Sequence, residues 1–260
     1  MTATTIALVI AASLYAYQVL DQQRGQAEFG VAVKSILAFD DALENVAWKT
    51  NGTLSTRFTV QYGELRIFPE TSSGSNPIAL RARVGSNDAL LYSNRTSLLS
   101  YYLSNRYVTF GEGHQSYVLG NQTALLVGST GSYGRAVVRQ SGGWVNVTLD
   151  FRVRAMLTSR VLVSSTGRYV NYIDVWVIKT EVHPAIRAYS YYAYLHDFDL
   201  KARSVSVQTT SWGPYPATGG SAQLNATVGK TATNPPIVFS INPSEDVVFN
   251  VIVARVQVYA

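Results

Sequence analysis

The chain has 260 residues, of which 47% are hydrophobic and 14% charged, against roughly 25% charged in ordinary soluble domains. That composition excludes a disordered chain and a polar coiled coil. The absence of cysteine excludes disulfide scaffolds, thiolate zinc sites, iron–sulfur clusters and cysteine nucleophiles. The net charge of +5 comes from 16 Arg and 5 Lys against 16 acidic residues, but the basic residues never form a run of three, so no nucleic-acid partner is expected.

Met1 to Leu20 carries no charged side chain. Its apolar residues, Ile6, Leu8, Val9, Ile10, Leu14, Tyr15, Tyr17, Val19 and Leu20, surround a helix rather than lining one face of it. A helix apolar on all sides must be buried in protein or lipid, and about 20 residues at 1.5 Å each span roughly 30 Å, a bilayer core. No basic residue precedes the segment, whereas secretory signals begin with one. Arg24 and Lys34 follow it, and for an unprocessed protein they would hold the C-terminal bulk in the cytoplasm. Five N-x-Thr sequons point the other way, at Asn51, Asn94, Asn121, Asn146 and Asn225, all N-glycosylation candidates of an extracellular chain. A basic leader, removed after membrane insertion, would reconcile the two.

From Asp21 to Lys49 the pattern turns amphipathic, with Phe29, Val33, Ile36, Leu43 and Val46 at helical spacing. Gln22, Gln23, Arg24, Glu28, Lys34, Asp41 and Glu44 fill the other face. Gly25 and Gly30 mark places where the helix could bend or pack closely, and Asn51-Gly52 stops it. Residues 1–50 are therefore expected to form one long helix and residues 51–260 a β-rich head.

Beyond residue 52 the period changes to two. Val145 to Arg154 alternates without a break, odd positions apolar and even positions polar, which predicts a half-buried strand with Asn146, Thr148, Asp150, Arg152 and Arg154 in solvent. Ser141-Gly142-Gly143 predicts a hairpin turn joining it to Ala136–Arg139. Leu54–Tyr62 and Leu65–Ile67, joined at Gly63-Glu64, predict a second hairpin. Further strands are expected near 78–84, 89–93, 106–110, 116–126, 160–164, 169–180, 185–195, 202–210 and 236–241. Val247 to Val256, apolar on both faces, predicts a central strand. Residues 211–216 and 229–236 are turn-rich connections. The fold class is α+β, a long apolar helix before an all-β, sandwich-like head.

Residues 1–48 and the order helix-then-β-head resemble the archaeal type IV pilin and archaellin class. The resemblance implies a cleaved leader, a membrane-inserted precursor and a helical homopolymer of identical subunits whose apolar helices bundle as the core. It also implies a β-sandwich head, N-glycans and an adhesive role towards surface glycans, host or abiotic surfaces. Thr5 stands where bacterial-type pilins usually place glutamate. The glycine-rich opening of archaellins is missing, which favours the pilin branch. The alternative is a single-pass anchored ectodomain or minor pilin that never polymerises.

Chemistry is sparse, and no enzyme activity, metal or cofactor is expected. His114, His183 and His196 are not spaced as metal ligands, and His196-Asp197-Phe198-Asp199 reads as a strand end. Gly128 to Arg135 lacks the Lys-Ser/Thr pair of a phosphate loop and reads as a surface loop. Asp40, Asp41 and Glu44 suit a solvated or head-docking helix face. Tyr191, Tyr192 and Tyr194 suit alternating sheet faces and a subunit interface better than a glycan site.

Overall fold

A computed structural model describes residues 2–121, 125–128, 131–184, 197–229, 231–232 and 236–260. Helix α1 runs unbroken from Thr2 to Ala47, about 70 Å at 1.5 Å per residue. No proline interrupts it. Its last carbonyls are satisfied by the Lys49 N–H on Val46 and the Ser204 hydroxyl on Ala47, and Asn51 then reverses the chain at φ +65°.

Sixteen strands are described after it. The first eight are β1 (Thr53–Thr59), β2 (Glu64–Phe68), β3 (Asn76–Val84), β4 (Asn87–Thr96), β5 (Leu98–Ser104), β6 (Gln115–Leu119), β7 (Leu126–Val127) and β8 (Gly134–Ser141). Then follow β9 (Trp144–Phe151), β10 (Val153–Val163), β11 (Arg168–Val182), β12 (Asp197–Pro216), β13 (Ser221–Val228), β14 (Thr231–Ala232), β15 (Ile237–Ser240) and β16 (Asp246–Tyr259). A central sheet has the order β1-β12-β16-β11-β10-β7. A second sheet is β2-β5-β9-β8-β6, and a third is β14-β13-β3-β4 with β15 also on β13. The molecule is α+β, a long apolar helix followed by a β-rich head.

The central sheet separates two hydrophobic cores. The first lies between the second half of α1, the second sheet and the central sheet. The other lies between the third sheet and the central sheet. Strand β16 serves both. Val247, Phe249 and Val251 enter one core; Ala254, Val256 and Val258, of opposite parity, enter the other. Its neighbour β11, parallel and in register from Val170↔Asp246 to Val182↔Val258, divides in the same way. That division accounts for the apolar character of β16 on both faces. The strand lies between β12 and β11, as its sequence predicts.

The β8–β9 hairpin forms as expected, with Ser141 opposite Trp144 and the intervening Gly142 and Gly143 both at positive φ, where a side chain would be strained. Other expectations change. Residues 54–67 are not a hairpin: β1 pairs with β12 and β2 with β5, in different sheets. Residues 106–110 are irregular, and the 116–126 run reduces to β6 and the start of β7. Residues 211–216 continue β12 along β16 through a register shift between Trp212 and Tyr215. The run 185–195 lies outside the described residues. Strands β5 and β13 lie where no strand is predicted.

The largest correction concerns β9. Val145, Val147, Leu149 and Phe151 do enter the first core, but the opposite face is covered too. Thr148, Asp150 and Arg152 are only 4%, 5% and 6% exposed, and Asn146 is half-buried. Asp150 keeps its charge there because it is paired: Arg135 sits directly opposite it on β8, and Nη2 donates to Oδ2 at 2.8 Å.

Phe249 is fully buried, whereas Leu14 on α1 is 62% exposed. Phe249→Ala should destabilise the head by about 3–5 kcal/mol and Leu14→Ala by less than about 0.5 kcal/mol. Urea denaturation of the detergent-solubilised chain, followed by tryptophan fluorescence, measures both; equal losses would contradict this division of the helix from the core.

Candidate functional site

Two halves of α1 meet different surroundings. Ile6, Leu8, Val9, Ile10, Leu14, Tyr15, Tyr17 and Leu20 are each between 51% and 72% exposed, and Val19 is half-buried. The helix is long and apolar enough to cross a membrane, and none of its most apolar 18-residue window is buried in the chain itself. A membrane anchor and a signal sequence share that property. Each large side chain contributes about 1.5–3 kcal/mol when fully buried, so this surface represents on the order of 10 kcal/mol of burial.

The second half is clamped to the head. Gly25 lies against Tyr107 so closely that a Cβ there would fall 2.5 Å from the ring, so glycine serves here for close packing. Gly30, by contrast, faces open space. Ala32, Ile36, Phe39, Leu43 and Val46 then enter the first core at steps of three and four, with Phe39 edge-on to Phe58. The packing boundary thus falls near Gly25, inside the helix, and residues 25–47 belong to the head's core.

Polar contacts lock this register. The Glu28 carboxylate accepts the consecutive backbone N–H groups of Gln61, Tyr62 and Gly63, each at 2.9 Å, and the Tyr101 hydroxyl at 2.7 Å. Burial, reinforced by the bond to Glu28 and its charge, raises the pKa of Tyr101. The approach at Gly63 leaves no room for a side chain, since a Cβ would meet the Tyr101 hydroxyl at 2.3 Å. One turn beyond Ile36, Asp40 is 2% exposed and accepts the Ser132 hydroxyl at 2.8 Å. Gly134 presses its backbone onto that carboxylate. Glu44 pairs with Arg154 at 3.5 Å.

Sequence reasoning assigned Glu28 to the solvated face. Its partners on the 61–63 turn are more than thirty residues away, and no local pattern announces them. Asp40 fits the head-docking expectation, while Asp41 stays exposed. Tyr133 and Gly134, placed in a surface loop from the sequence, are buried against the helix, and Arg135 is buried on the opposite face of β8. Of the sequon asparagines, Asn51, Asn94 and Asn121 are exposed and Asn225 is half-exposed on the outer face of β13. Asn146 donates from Nδ2 to Thr148 Oγ1 at 3.4 Å.

His114 stacks on Phe110 and lies 3.0 Å from Ser116, and His183 leans on Tyr259. Asp197 pairs with Arg57 at the surface. His196 and the tyrosines at 191, 192 and 194 lie outside the described residues. Among the described residues, no three His, Asp or Glu gather as metal ligands. Compared with protein-family models, curated proteins and solved structures, the chain matches none.

Burial raises the Asp40 pKa to about 6, with the charges of Glu44 and Asp41 acting in the same direction against the Ser132 hydrogen bond. The folded state therefore binds this proton more tightly than the unfolded state, whose carboxyl titrates near 3.8. This contribution to stability should fall as pH rises from about 4 to about 6, reaching a cost of about 3 kcal/mol above that range. Asp40→Asn should remove the cost. The urea midpoints of the two proteins should converge below pH 4 and separate by pH 7, with the variant more stable; parallel pH profiles would contradict it.

Proposed function

We propose that this chain is the structural subunit of an extracellular type IV-like pilus, polymerising through the undocked half of α1 and serving adhesion. One observation carries the proposal: a single helix is fixed in the head from Gly25 onward and projects from it a rod whose first twenty residues carry no charge and are mostly apolar and exposed. Such a rod needs a dry environment. Lipid supplies it before assembly, and a bundle of like helices supplies an equivalent one afterwards. Transfer between the two is nearly neutral, so an assembly motor has little work to do in extraction. Contacts between identical subunits that do not close on themselves build an open helical filament. The resemblance of residues 1–48 and of the helix-then-head order to archaeal type IV pilins supports the same reading.

Leu14→Asp places a charge on the rod, and an unpaired charge buried among helices costs several kcal/mol. Electron microscopy of sheared cell-surface material should show filaments of the wild-type chain and none of the variant. Wild-type protein recovered only as detergent monomers, with no filament, would make it an anchored ectodomain instead.

An extracellular location also predicts sugar at Asn94, Asn121 and Asn225. Glycopeptide mapping of native protein should find it there. Asn146, half-buried and bonded to Thr148, should carry less. Bare asparagines at all five sequons would contradict the extracellular placement.

A further inference from the structure

The second and third sheets diverge where β4 passes into β5, and a cleft of about 490 Å³ opens between them. That volume lies within the roughly 300–1,000 Å³ usual for small-molecule sites. Its floor is the polar face of β8 and β9 that the sequence places in solvent. Three guanidinium groups, Arg95, Arg135 and Arg139, reach it, with Asp150 as their one carboxylate.

That carboxylate is already committed. It accepts Arg135 at 2.8 Å and the side-chain amide of Asn76. Arg135, 2% exposed, is the buried base of the site and keeps its Nε hydrogen without an acceptor. Arg95 is held in place by neutral oxygens, its Nε on the Ser75 hydroxyl at 2.7 Å and Nη2 on the Ser72 carbonyl at 3.0 Å. Arg139 is oriented by Gln115 through Nε at 3.3 Å. Among the described residues, neither Arg95 nor Arg139 has a carboxylate partner. The cleft therefore holds two uncompensated, pre-oriented forks, and a planar carboxylate is the group such forks match.

The remaining lining narrows the ligand. The exposed Ser73 offers a hydroxyl, whereas Pro77 and Leu98 offer an apolar wall. An inorganic anion would leave most of this space and all of the apolar wall unused. A ring bearing hydroxyls, C–H faces and one carboxylate uses every part.

We infer that this cleft binds an acidic saccharide through one uronic-acid residue, its carboxylate on Arg95 and Arg139 and a ring hydroxyl on Ser73. The site lies in the head, away from the undocked helix, so it functions in the monomer whether or not the chain polymerises. Asn146 lies opposite Arg139 across β8 and β9, so the saccharide belongs either to an external polysaccharide or to the protein's own glycan.

Calorimetric titration of the full chain in detergent with a galacturonic acid trimer tests this. Saturable binding is expected, weakened at least tenfold by Arg139→Gln and further by adding Arg95→Gln. The buried Arg135–Asp150 pair stays intact in both variants. Arg139→Gln alone, with an unchanged urea midpoint, decides the matter if the double variant is unstable. A neutral galactose trimer should not bind. Binding to bare and native protein alike would support an external saccharide; binding to bare protein only would support occupancy by the protein's own sugar. No saturable binding to bare protein, equal binding by Arg139→Gln, or displacement by inorganic phosphate at matched concentration would overturn the inference.

Discussion

Burial of one helical stripe, from Gly25 to Ala47, against the head decides where the first half of the same helix can go. An α-helix without proline is stiff over this length, so the rod cannot fold back to hide its apolar surface on its own head. The clamp is chemically specific. A glycine admits the Tyr107 ring, a carboxylate collects three backbone N–H groups and a hydroxyl, and a buried aspartate takes up Ser132. Loosening any of these would free the rod to move relative to the head. With them in place, whatever surrounds residues 4–24 also sets the position of the head.

The head repeats this dependence on sharing. One sheet of six strands serves two cores, and its strands β11 and β16 change allegiance midway along their length. The second sheet is tied to the third through the central one, through the bond from Asn76 to Asp150 and through the β4–β5 junction. There the buried Thr96 and Ser97 hydroxyls meet the Thr180 hydroxyl at 2.8 and 2.7 Å. The wedge left beyond that junction is the arginine-lined cleft. Its polar floor is dry enough to require the Arg135–Asp150 pair and open enough to leave two guanidinium groups without carboxylates.

Much of this was legible from residues alone, where the signal is local. The uncharged run to Leu20, the helical spacing of Ile36, Leu43 and Val46, the Gly142-Gly143 turn and the double-sided pattern of β16 each state their structure within a few residues. Strand β13 was missed because its inward positions include Ala222 and Ala226, too small to stand out against polar neighbours. Strand β5, Leu98–Ser104, has no clean alternation because both its faces are largely buried. The β9 face was misread for a different reason. Asp150 looks solvated until Arg135 is placed opposite it, and pairing across strands is not visible in either strand alone. The same holds for Glu28, whose partners lie in a turn more than thirty residues away.

The native chain has no cysteine, so a single introduced thiol reports contacts between subunits without background. Tyr17→Cys, at a position 72% exposed on the rod, can be treated with a short thiol-reactive cross-linker in filaments sheared from cells. Rods bundled at a filament core predict covalent multimers, whereas Ile36→Cys, at a position fully buried against the head, should stay monomeric. Monomers alone from Tyr17→Cys, in filaments that contain the chain, would contradict assembly through the undocked half of the helix.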